Sequence, residues 1–269
     1  MMDTITATCA RAFRSFVSTQ VWLSRRFDRL LPKQFRIDGN TDFTQDFVNP
    51  YVQPATSIVD VGGGKQPLLS PERKRALGVR VVGLDVDAAE LARAPQDAYD
   101  EVVCADITSF RGNQSAELVI CQAVLEHVPN VSAALASLST IVKAGGVALL
   151  FVPSKNAWYA RLNRALPAAM KRWLLFSIFP QTEKDQGFPA YYDRCTPREL
   201  ISIAAAHGLK VDKVRLYYTS SYFSCFFPLY LLWRLHMLAL RAISPQSAAE
   251  TFSLALRKER GNPSGAAVK

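Results

Sequence analysis

The sequence predicts an α/β fold in which helices cover both faces of a mainly parallel β-sheet. Short runs rich in β-branched residues alternate with helix-like runs between residues 57 and 153. Serine or threonine followed by proline opens two of the helix-like runs, and glycine closes both of them. Strands that alternate with helices form right-handed βαβ units, whose strands lie parallel in one sheet.

Most of the predicted strands contain a short apolar run, as expected for strands that are buried on both faces. In chain order the predicted strands span residues 57–61, 79–86, 100–107, 116–124, 147–153, 209–218 and 249–258. Capping residues then mark the helices between the strands. The predicted helices span residues 70–78, 87–95, 131–146 and 195–208, and all but the second end at glycine.

Longer segments flank and interrupt this alternating core. Basic and apolar residues alternate over residues 11–32 in the way that is typical of an amphipathic helix. The predicted parts of the chain are a helical extension over residues 1–50, an α/β domain over 51–260 with apolar helical inserts at 154–190 and 219–247, and a disordered tail over 261–269.

Composition narrows the class of function. The five cysteines are scattered without a C-x-x-C pair, which argues against a disulfide framework and favours a reducing compartment. With three histidines and no clustered ligands, no metal site is predicted. The net charge of +9 is uneven, because an acidic middle lies between two basic flanks. Their basic residues are interleaved with Leu, Phe and Trp, which favours anionic lipid over nucleic acid as a partner.

The first predicted strand ends at three consecutive glycines, residues 62–64. Glycines between a strand and a helix let backbone N–H groups approach a ligand closely. Asp60 precedes them, and Asp85 and Asp106 end the next two strands, so the three acids share one sheet edge. They suit the ammonium, ribose and adenine groups of S-adenosylmethionine. Pro67 replaces the last glycine of the dinucleotide fingerprint, and a dehydrogenase is kept only as an alternative.

Residues 57–153 resemble the core of class I S-adenosylmethionine-dependent methyltransferases. The segments VDVGGG, VVGLDVD, CADI and LVICQAVLEHVP resemble that family's motifs in their usual order. LEHVP resembles the quinone-type and related small-molecule members, whereas Gln66 stands where the family often has a third glycine. The resemblance implies a Rossmann-like, doubly wound, seven-stranded and mostly parallel sheet. Its last strand would be antiparallel, and its helical inserts would stand over the carboxyl edge.

The resemblance also implies which residues contact the cofactor. The glycine turn would line the methionine end, Asp85 would hold the ribose, and Asp106 would face the adenine. Gln122, at the tip of the fourth strand, would lie near the sulfonium. The implied cofactor-binding residues are Asp60, Gly62, Gly63, Gly64, Asp85, Val86, Asp106, Ile107 and Gln122.

Methyl transfer to a hydroxyl requires alignment and a group that takes the acceptor's proton. His127 is the predicted catalytic base, since imidazole titrates near neutral pH, and a packing role is its alternative. Tyr191 and Tyr192 are the next catalytic candidates, because tyrosines can orient an acceptor or wall its pocket. No joint role is expected for Glu126 and His127, since adjacent residues on a helix diverge.

Both apolar inserts are predicted to leave the sheet at its carboxyl edge. The insert at 219–247 is long enough to cross a bilayer, but Arg234 and His236 interrupt it. A helix or hairpin in the membrane interface is therefore expected. The cations expected to face lipid are Arg161, Arg164, Lys171, Arg172, Arg234 and Arg241. A lid over a soluble substrate and a homo-oligomer interface are the alternatives.

These features predict methyl transfer from S-adenosyl-L-methionine to a hydrophobic or lipid-linked small molecule at a membrane surface. The predicted acceptors are a quinone or polyprenyl precursor and a lipid-linked glycan intermediate, with oxygen ahead of carbon as the methylated atom. The predicted location is cytoplasmic, on the inner face of a membrane, without a nucleic-acid partner. A soluble methyltransferase of secondary metabolism and a non-catalytic cofactor-binding module are the alternatives.

Overall fold

The computed structural model describes residues 2–166 and 188–260, with side chains from residue 11 onwards. The predicted tail over 261–269 and the middle of the first insert, with Lys171 and Arg172, lie outside the described residues. The strands of the described part are β1 (Ser57–Val61), β2 (Arg80–Asp85), β3 (Glu101–Cys104), β4 (Ala116–Gln122), β5 (Val142–Pro153), β6 (Leu209–Tyr217) and β7 (Thr251–Lys258).

These strands form one sheet in the order β3-β2-β1-β4-β5-β7-β6. The pairs that β1 makes with β2 and β4 are parallel, and so are β2 with β3 and β4 with β5. Strand β7 pairs antiparallel with both β5 and β6. The prediction of a doubly wound, seven-stranded, mostly parallel sheet with an antiparallel last strand is therefore confirmed.

The predicted capping signals of two helices act as expected. Ser70 Oγ accepts a hydrogen bond from the Arg73 N–H at 3.3 Å, and Gly78 ends that helix with a φ of 60°. Thr196 Oγ1 accepts from the Glu199 N–H at 3.3 Å. The α-helices are α1 (Met2–Asp28), α2 (Gly39–Asp42), α3 (Pro71–Leu77), α4 (Ala88–Ala92), α5 (Val131–Ile141), α6 (Trp158–Ala165), α7 (Pro197–Ala206), α8 (Phe227–Ile243) and α9 (Pro245–Ala248).

The helix predicted over residues 131–146 is shorter than expected. Helix α5 ends at Ile141, and Val142 already pairs with Ala116 of β4. The two glycines predicted to stop the helix lie inside β5 instead. A Cβ on Gly146 would lie 2.8 Å from the Glu117 carbonyl oxygen. Glycine therefore lets the backbones of β5 and β4 approach closely near the irregular start of β5.

Apolar side chains fill both faces of the sheet. On one face, Leu135 of α5 and Leu200 of α7 are fully buried against the strands. The other face is covered by residues that precede β1, among them Phe43 and Phe47, which are also fully buried. The Phe43 ring lies 5.6 Å from the ring of Phe151. The segment before β1 is therefore part of the core that supports the sheet.

A buried arginine fastens α8 to α1. Arg234 is 0% exposed, and its Nε donates to Oδ1 of Asp28 at 2.9 Å. Its guanidinium also donates to the carbonyl oxygen of Phe35 at 2.8 Å and lies 5.0 Å from the Trp233 ring. The expectation that Arg234 faces lipid is wrong, because its side chain satisfies backbone and carboxylate acceptors inside the protein.

Replacing Arg234 with leucine is expected to lower the free energy of unfolding by about 3–5 kcal/mol, because breaking a buried ion pair leaves Asp28 with the Tyr230 hydroxyl but without its cationic partner. The matched control is Arg29→Leu, which removes an exposed arginine at the end of α1 and should change stability by less than about 0.5 kcal/mol. Urea unfolding followed by circular dichroism measures both. Equal stability of the two variants would contradict the role given to Arg234.

Candidate active site

The glycine turn after β1 lies where the strand order reverses, between β1 and β4. Gly62 and Gly64 have positive φ angles of 73° and 45°. A Cβ on Gly62 would lie 2.2 Å from Cγ2 of Val124, in the loop after β4. Only glycine lets these two loops meet at the point of the sheet where open α/β folds bind ligands.

Asp60 lies on β1 next to this turn and is 3% exposed. Its Oδ2 accepts a hydrogen bond from the Leu68 N–H at 3.0 Å. Burial raises the pKa of Asp60 to about 6, and the nearby Asp85 adds to the rise. A cationic group bound here would stabilise the ionised form of this buried carboxylate.

Asp85 ends β2, and its Oδ1 accepts from the Asp87 N–H at 3.0 Å. Burial raises the pKa of this carboxyl as well. Beyond β3, Asp106 Oδ1 accepts from the N–H and hydroxyl of Thr108 at 2.7 and 2.8 Å. Asp106 therefore stabilises its own loop in addition to lining the crevice described next.

The predicted cofactor-binding residues line one crevice along the sheet edge. Its first half, about 340 Å³, holds Asp60, the glycine turn and Gln122. Its second half, about 200 Å³, holds Val86, Asp106 and Ile107. The halves share Val61, Gly62, Asp85, Ala123 and Phe188. The structure thus brings all of the predicted cofactor-binding residues together, and their contacts with a cofactor stay predictions.

A larger cavity of about 810 Å³ opens at the same edge. Its walls come from the described parts of both predicted inserts and from the segment before β1. The aromatic and apolar lining includes Phe151, Pro153, Tyr159, Phe188, Tyr192 and Tyr222. The polar lining includes Asp38, Asn40, Asn163, Thr219, Ser220 and Ser221. A cavity that combines aromatic walls with convergent polar groups is typical of a small-molecule site.

Three residues line both the crevice and the large cavity: Asn40, His127 and Phe188. Gln122 Nε2 donates to Oδ1 of Asn40 at 2.7 Å, so a residue before β1 is bound to the tip of β4. The two spaces therefore adjoin at this point. Asn40 was not predicted from the sequence, because only the packing of the N-terminal segment on the sheet places it there.

The predicted catalytic residues lie in different surroundings. His127 borders both spaces, and its Nδ1 lies 3.0 Å from the carbonyl oxygen of Pro189. Tyr192 is 7% exposed and lines the large cavity, and burial raises the pKa of its hydroxyl. Tyr191 is 50% exposed and is not among the residues that line the cavity. The geometry favours His127 and Tyr192 over Tyr191, and the catalytic roles stay predictions.

Glu126 is a cavity residue that the sequence analysis left without a role. It is 4% exposed, and its Oε2 has no hydrogen-bond partner among the described residues. Burial raises the pKa of Glu126 to about 8. The sequence reasoning assumed that Glu126 and His127 diverge. In the 3-10 turn Leu125–His127, however, both side chains line the cavity, with Oε1 3.8 Å from His127 Nε2.

Comparisons with known proteins agree with this geometry. A family model described as a methyltransferase domain matches residues 19–214 of the chain. A ubiquinone biosynthesis O-methyltransferase from Colwellia psychrerythraea is 31% identical over 170 residues, which cover 60% of this chain and 64% of that protein. The match therefore spans slightly less than two thirds of that relative's length.

Solved structures share the fold. An S-adenosylmethionine dependent methyltransferase from Mesorhizobium loti has a TM-score of 0.53 at 16% identity, covering 83% of this chain and all of that chain. Phosphoethanolamine N-methyltransferase 2 from Haemonchus contortus, in complex with S-adenosyl-L-methionine, has a TM-score of 0.50 at 15% identity, covering 92% of this chain and 60% of that chain. At these identities the likeness confirms the predicted Rossmann-like fold.

Gly62→Ala is expected to weaken binding of S-adenosylhomocysteine at least roughly tenfold, because the new methyl group would collide with Val124 and displace the turn. Gly78→Ala is the matched control. Its φ of 60° is also positive, but a Cβ there meets nothing within 4 Å, so only stability should fall, by about 1–2 kcal/mol. Titration calorimetry gives both affinities. Wild-type affinity in Gly62→Ala would contradict the assignment of the crevice.

Proposed function

The chain belongs to the methyltransferase-domain family, with S-adenosyl-L-methionine as its cofactor, and we propose that it methylates a hydroxyl oxygen of a hydrophobic or lipid-linked acceptor. One observation carries the proposal. The 810 Å³ cavity adjoins the crevice of predicted cofactor-binding residues at Asn40, His127 and Phe188. An acceptor in the cavity would therefore lie beside the group that donates the methyl.

The residues of the crevice fit the cofactor's parts. Gly62 leaves no room for a Cβ, so bare backbone faces the crevice, and buried Asp60 offers a carboxylate to an ammonium group. Asp85 is placed to bind ribose hydroxyls. The adenine would be held by Asp106, Val86 and Ile107, with Gln122 near the sulfonium. When bound, S-adenosyl-L-methionine supplies an electrophilic methyl group, so the protein contributes alignment and proton transfer.

The cavity walls favour an apolar acceptor. Aromatic side chains from β5, α6 and the segment after β6 surround the space, among them Phe151, Tyr159 and Tyr222. The rings of Tyr159 and Tyr222 stack at 4.5 Å, which forms a flat wall. The matched relative is named for O-methylation in ubiquinone biosynthesis, which supports an oxygen acceptor on a quinone-type or polyprenyl precursor.

His127 is proposed as the base that takes the acceptor's proton. When Nδ1 carries the ring hydrogen, it donates to the Pro189 carbonyl oxygen at 3.0 Å. This bond leaves the lone pair of Nε2 free to accept a proton at the junction between cavity and crevice. Tyr192 would wall the acceptor on the cavity side.

His127→Ala is expected to lower kcat about a hundredfold, because general-base catalysis is lost, while affinity for S-adenosylhomocysteine stays unchanged. The probe is a geranyl-substituted catechol, with methylated product measured by mass spectrometry. His207→Ala is the matched control, since His207 Nε2 lies 3.4 Å from Ser132 Oγ and lines none of the spaces described above. An unaffected rate in His127→Ala would contradict the role of His127 as the catalytic base. A wild-type chain that methylates no hydroxyl acceptor would contradict the proposed function.

Delivery of such an acceptor from a membrane surface is the second part of the proposal. Helix α1 packs on Phe227 of α8 through Gln20 and Phe27, and on the segment just before α8 through Ser24. Its exposed arginines fall within about 120° on the opposite side of the helix, with Trp22 among them at 57% exposure. They are Arg11, Arg14, Arg25, Arg26 and Arg29. A basic face with an exposed tryptophan suits anionic headgroups at a membrane interface.

The contact with lipid would be interfacial. Within residues 2–166 and 188–260, no helix combines the length and apolar character that crossing a bilayer requires. Helix α8 instead exposes single leucines, Leu232 at 58% and Leu235 at 52%, while Trp233 and Arg234 are buried. Its outer face would add apolar contact area beside the arginines of α1.

A variant with Arg11, Arg14 and Arg25 replaced by glutamine should bind vesicles that contain phosphatidylglycerol about a hundredfold more weakly, since each surface arginine contributes about 1 kcal/mol. Flotation of the full chain at low and high salt measures this. Binding should also weaken at high salt and be absent with phosphatidylcholine alone.

The matched control removes three exposed cations elsewhere, through Arg80→Gln, Arg198→Gln and Lys210→Gln. This variant should float as the wild type does. Equal loss of binding in both variants would indicate a response to net charge only, and no flotation of the wild type would contradict the membrane part of the proposal.

A further inference from the structure

Glu126 is a buried acidic residue at the cavity wall. The reaction proposed above gives it no role. It follows β4 in the turn Leu125–His127 and is 4% exposed. It lines the large cavity, and its Oε2 has no hydrogen-bond partner among the described residues. Buried polar atoms are nearly always paired, so an unpaired one at the wall of a ligand-sized cavity indicates a missing partner.

The backbone around Glu126 is fixed by two hydrogen bonds. The N–H groups of Tyr191 and Tyr192 both donate to the Glu126 carbonyl oxygen, at 2.7 and 3.0 Å. Tyr192 has a φ of 53°, an unusual value for a tyrosine that this double contact requires. The turn is therefore anchored on its outer side, and its glutamate side chain is held at the cavity wall rather than in solvent.

We propose that Glu126 is an acceptor-binding residue whose Oε2 forms a hydrogen bond with an oxygen atom of the methyl acceptor. The inference rests on the proposed function and adds a requirement to it. The acceptor must carry, near the hydroxyl that is methylated, a second oxygen with an available lone pair. Carbonyl, ether and phenolic oxygens meet this requirement, whereas an acceptor with a single oxygen does not.

The carboxyl group of Glu126 can donate a hydrogen bond at neutral pH, because it is then protonated. Burial raises the pKa of Glu126 to about 8, so the protonated form predominates at neutral pH. Six titratable residues surround this carboxyl. His127 lies in the same turn, and the others come from four further parts of the chain: Cys121 of β4, Tyr159 of α6, Tyr192 and Cys195 before α7, and Tyr222 after β6. Burial raises the pKa of each listed cysteine and tyrosine, so these groups are neutral near pH 8.

No lysine or arginine of the described residues forms an ion pair with Glu126. The protonated carboxyl prefers a lone-pair oxygen as its partner, and the low exposure of Glu126, 4%, limits competition from water. Glu126 loses that preference once the carboxyl ionises, because a carboxylate only accepts hydrogen bonds.

The binding probe is a geranyl-substituted dimethoxybenzene, which has only acceptor oxygens, titrated into the full chain saturated with S-adenosylhomocysteine. The wild type should bind it at least about tenfold more weakly at pH 10 than at pH 7, because the carboxyl ionises as the pH rises through its pKa of about 8. Glu126→Gln keeps a donor at every pH and should bind it independently of pH. Glu126→Leu removes the donor and should bind roughly tenfold more weakly at neutral pH.

Glu250→Gln is the matched control. Glu250 is 3% exposed, burial raises its pKa to about 7, and its Oε2 also has no partner in the described part of the chain. Its Oε1, however, accepts from Trp233 of α8, and Glu250 is not among the residues that line the cavity. This variant should keep the wild-type pH dependence. Wild-type affinity in Glu126→Leu, or pH dependence that persists in Glu126→Gln, would overturn the inference.

Methylation of the geranyl-substituted catechol is measured in parallel, so the two proposals fail separately. Product from the wild type together with undiminished probe affinity in Glu126→Leu would overturn the role of Glu126 alone. No product, combined with the expected binding pattern of the variants, would contradict the reaction and support the binding role. Loss of both product and probe binding in the wild type would overturn both.

Discussion

The common direction of the strands is the constraint on which the rest of this structure depends. Because β1, β2, β4 and β5 run parallel, their carboxyl ends meet at one edge, and every loop that leaves them emerges there. Groups far apart in sequence, such as Asp60, Asp85 and Gln122, come together in one crevice for this reason. The antiparallel β7 starts at the same edge, so the segment between β6 and β7 also adds residues to the cavity wall.

The second insert is an integral part of the fold rather than an appended segment. Trp233 Nε1 donates to Glu250 Oε1 at 3.0 Å, just before β7, and Arg234 binds both Asp28 and Phe35. These buried contacts join α8 to the sheet on one side and to α1 on the other. Helix α8 is thus held by buried contacts on its inner side, whereas Leu232 and Leu235 on its outer side stay exposed.

Desolvation sets the chemistry of the carboxyl groups at this edge. Burial raises the pKa of Asp60 to about 6 and that of Glu126 to about 8. The two groups nevertheless differ, since Asp60 accepts a backbone hydrogen bond from Leu68, whereas Glu126 Oε2 has no partner among the described residues. The buried carboxyl group thereby supplies a site suited to a cation in the crevice and a neutral donor in the cavity.

The sequence alone determined the features that depend on local sterics and local hydrogen bonds. Proline after a capping hydroxyl favours the start of a helix, and glycine is the residue best suited to a positive φ, so Ser70, Gly78 and the turn at Gly62 were predictable. The order of the strand-tip acids was readable because each follows its own strand. Only the tertiary structure decided the end of α5, the burial of Arg234 and the orientation of Glu126. Arg234 and Asp28 are 206 positions apart, and no local pattern encodes a contact that exists only after α1 and α8 have packed together.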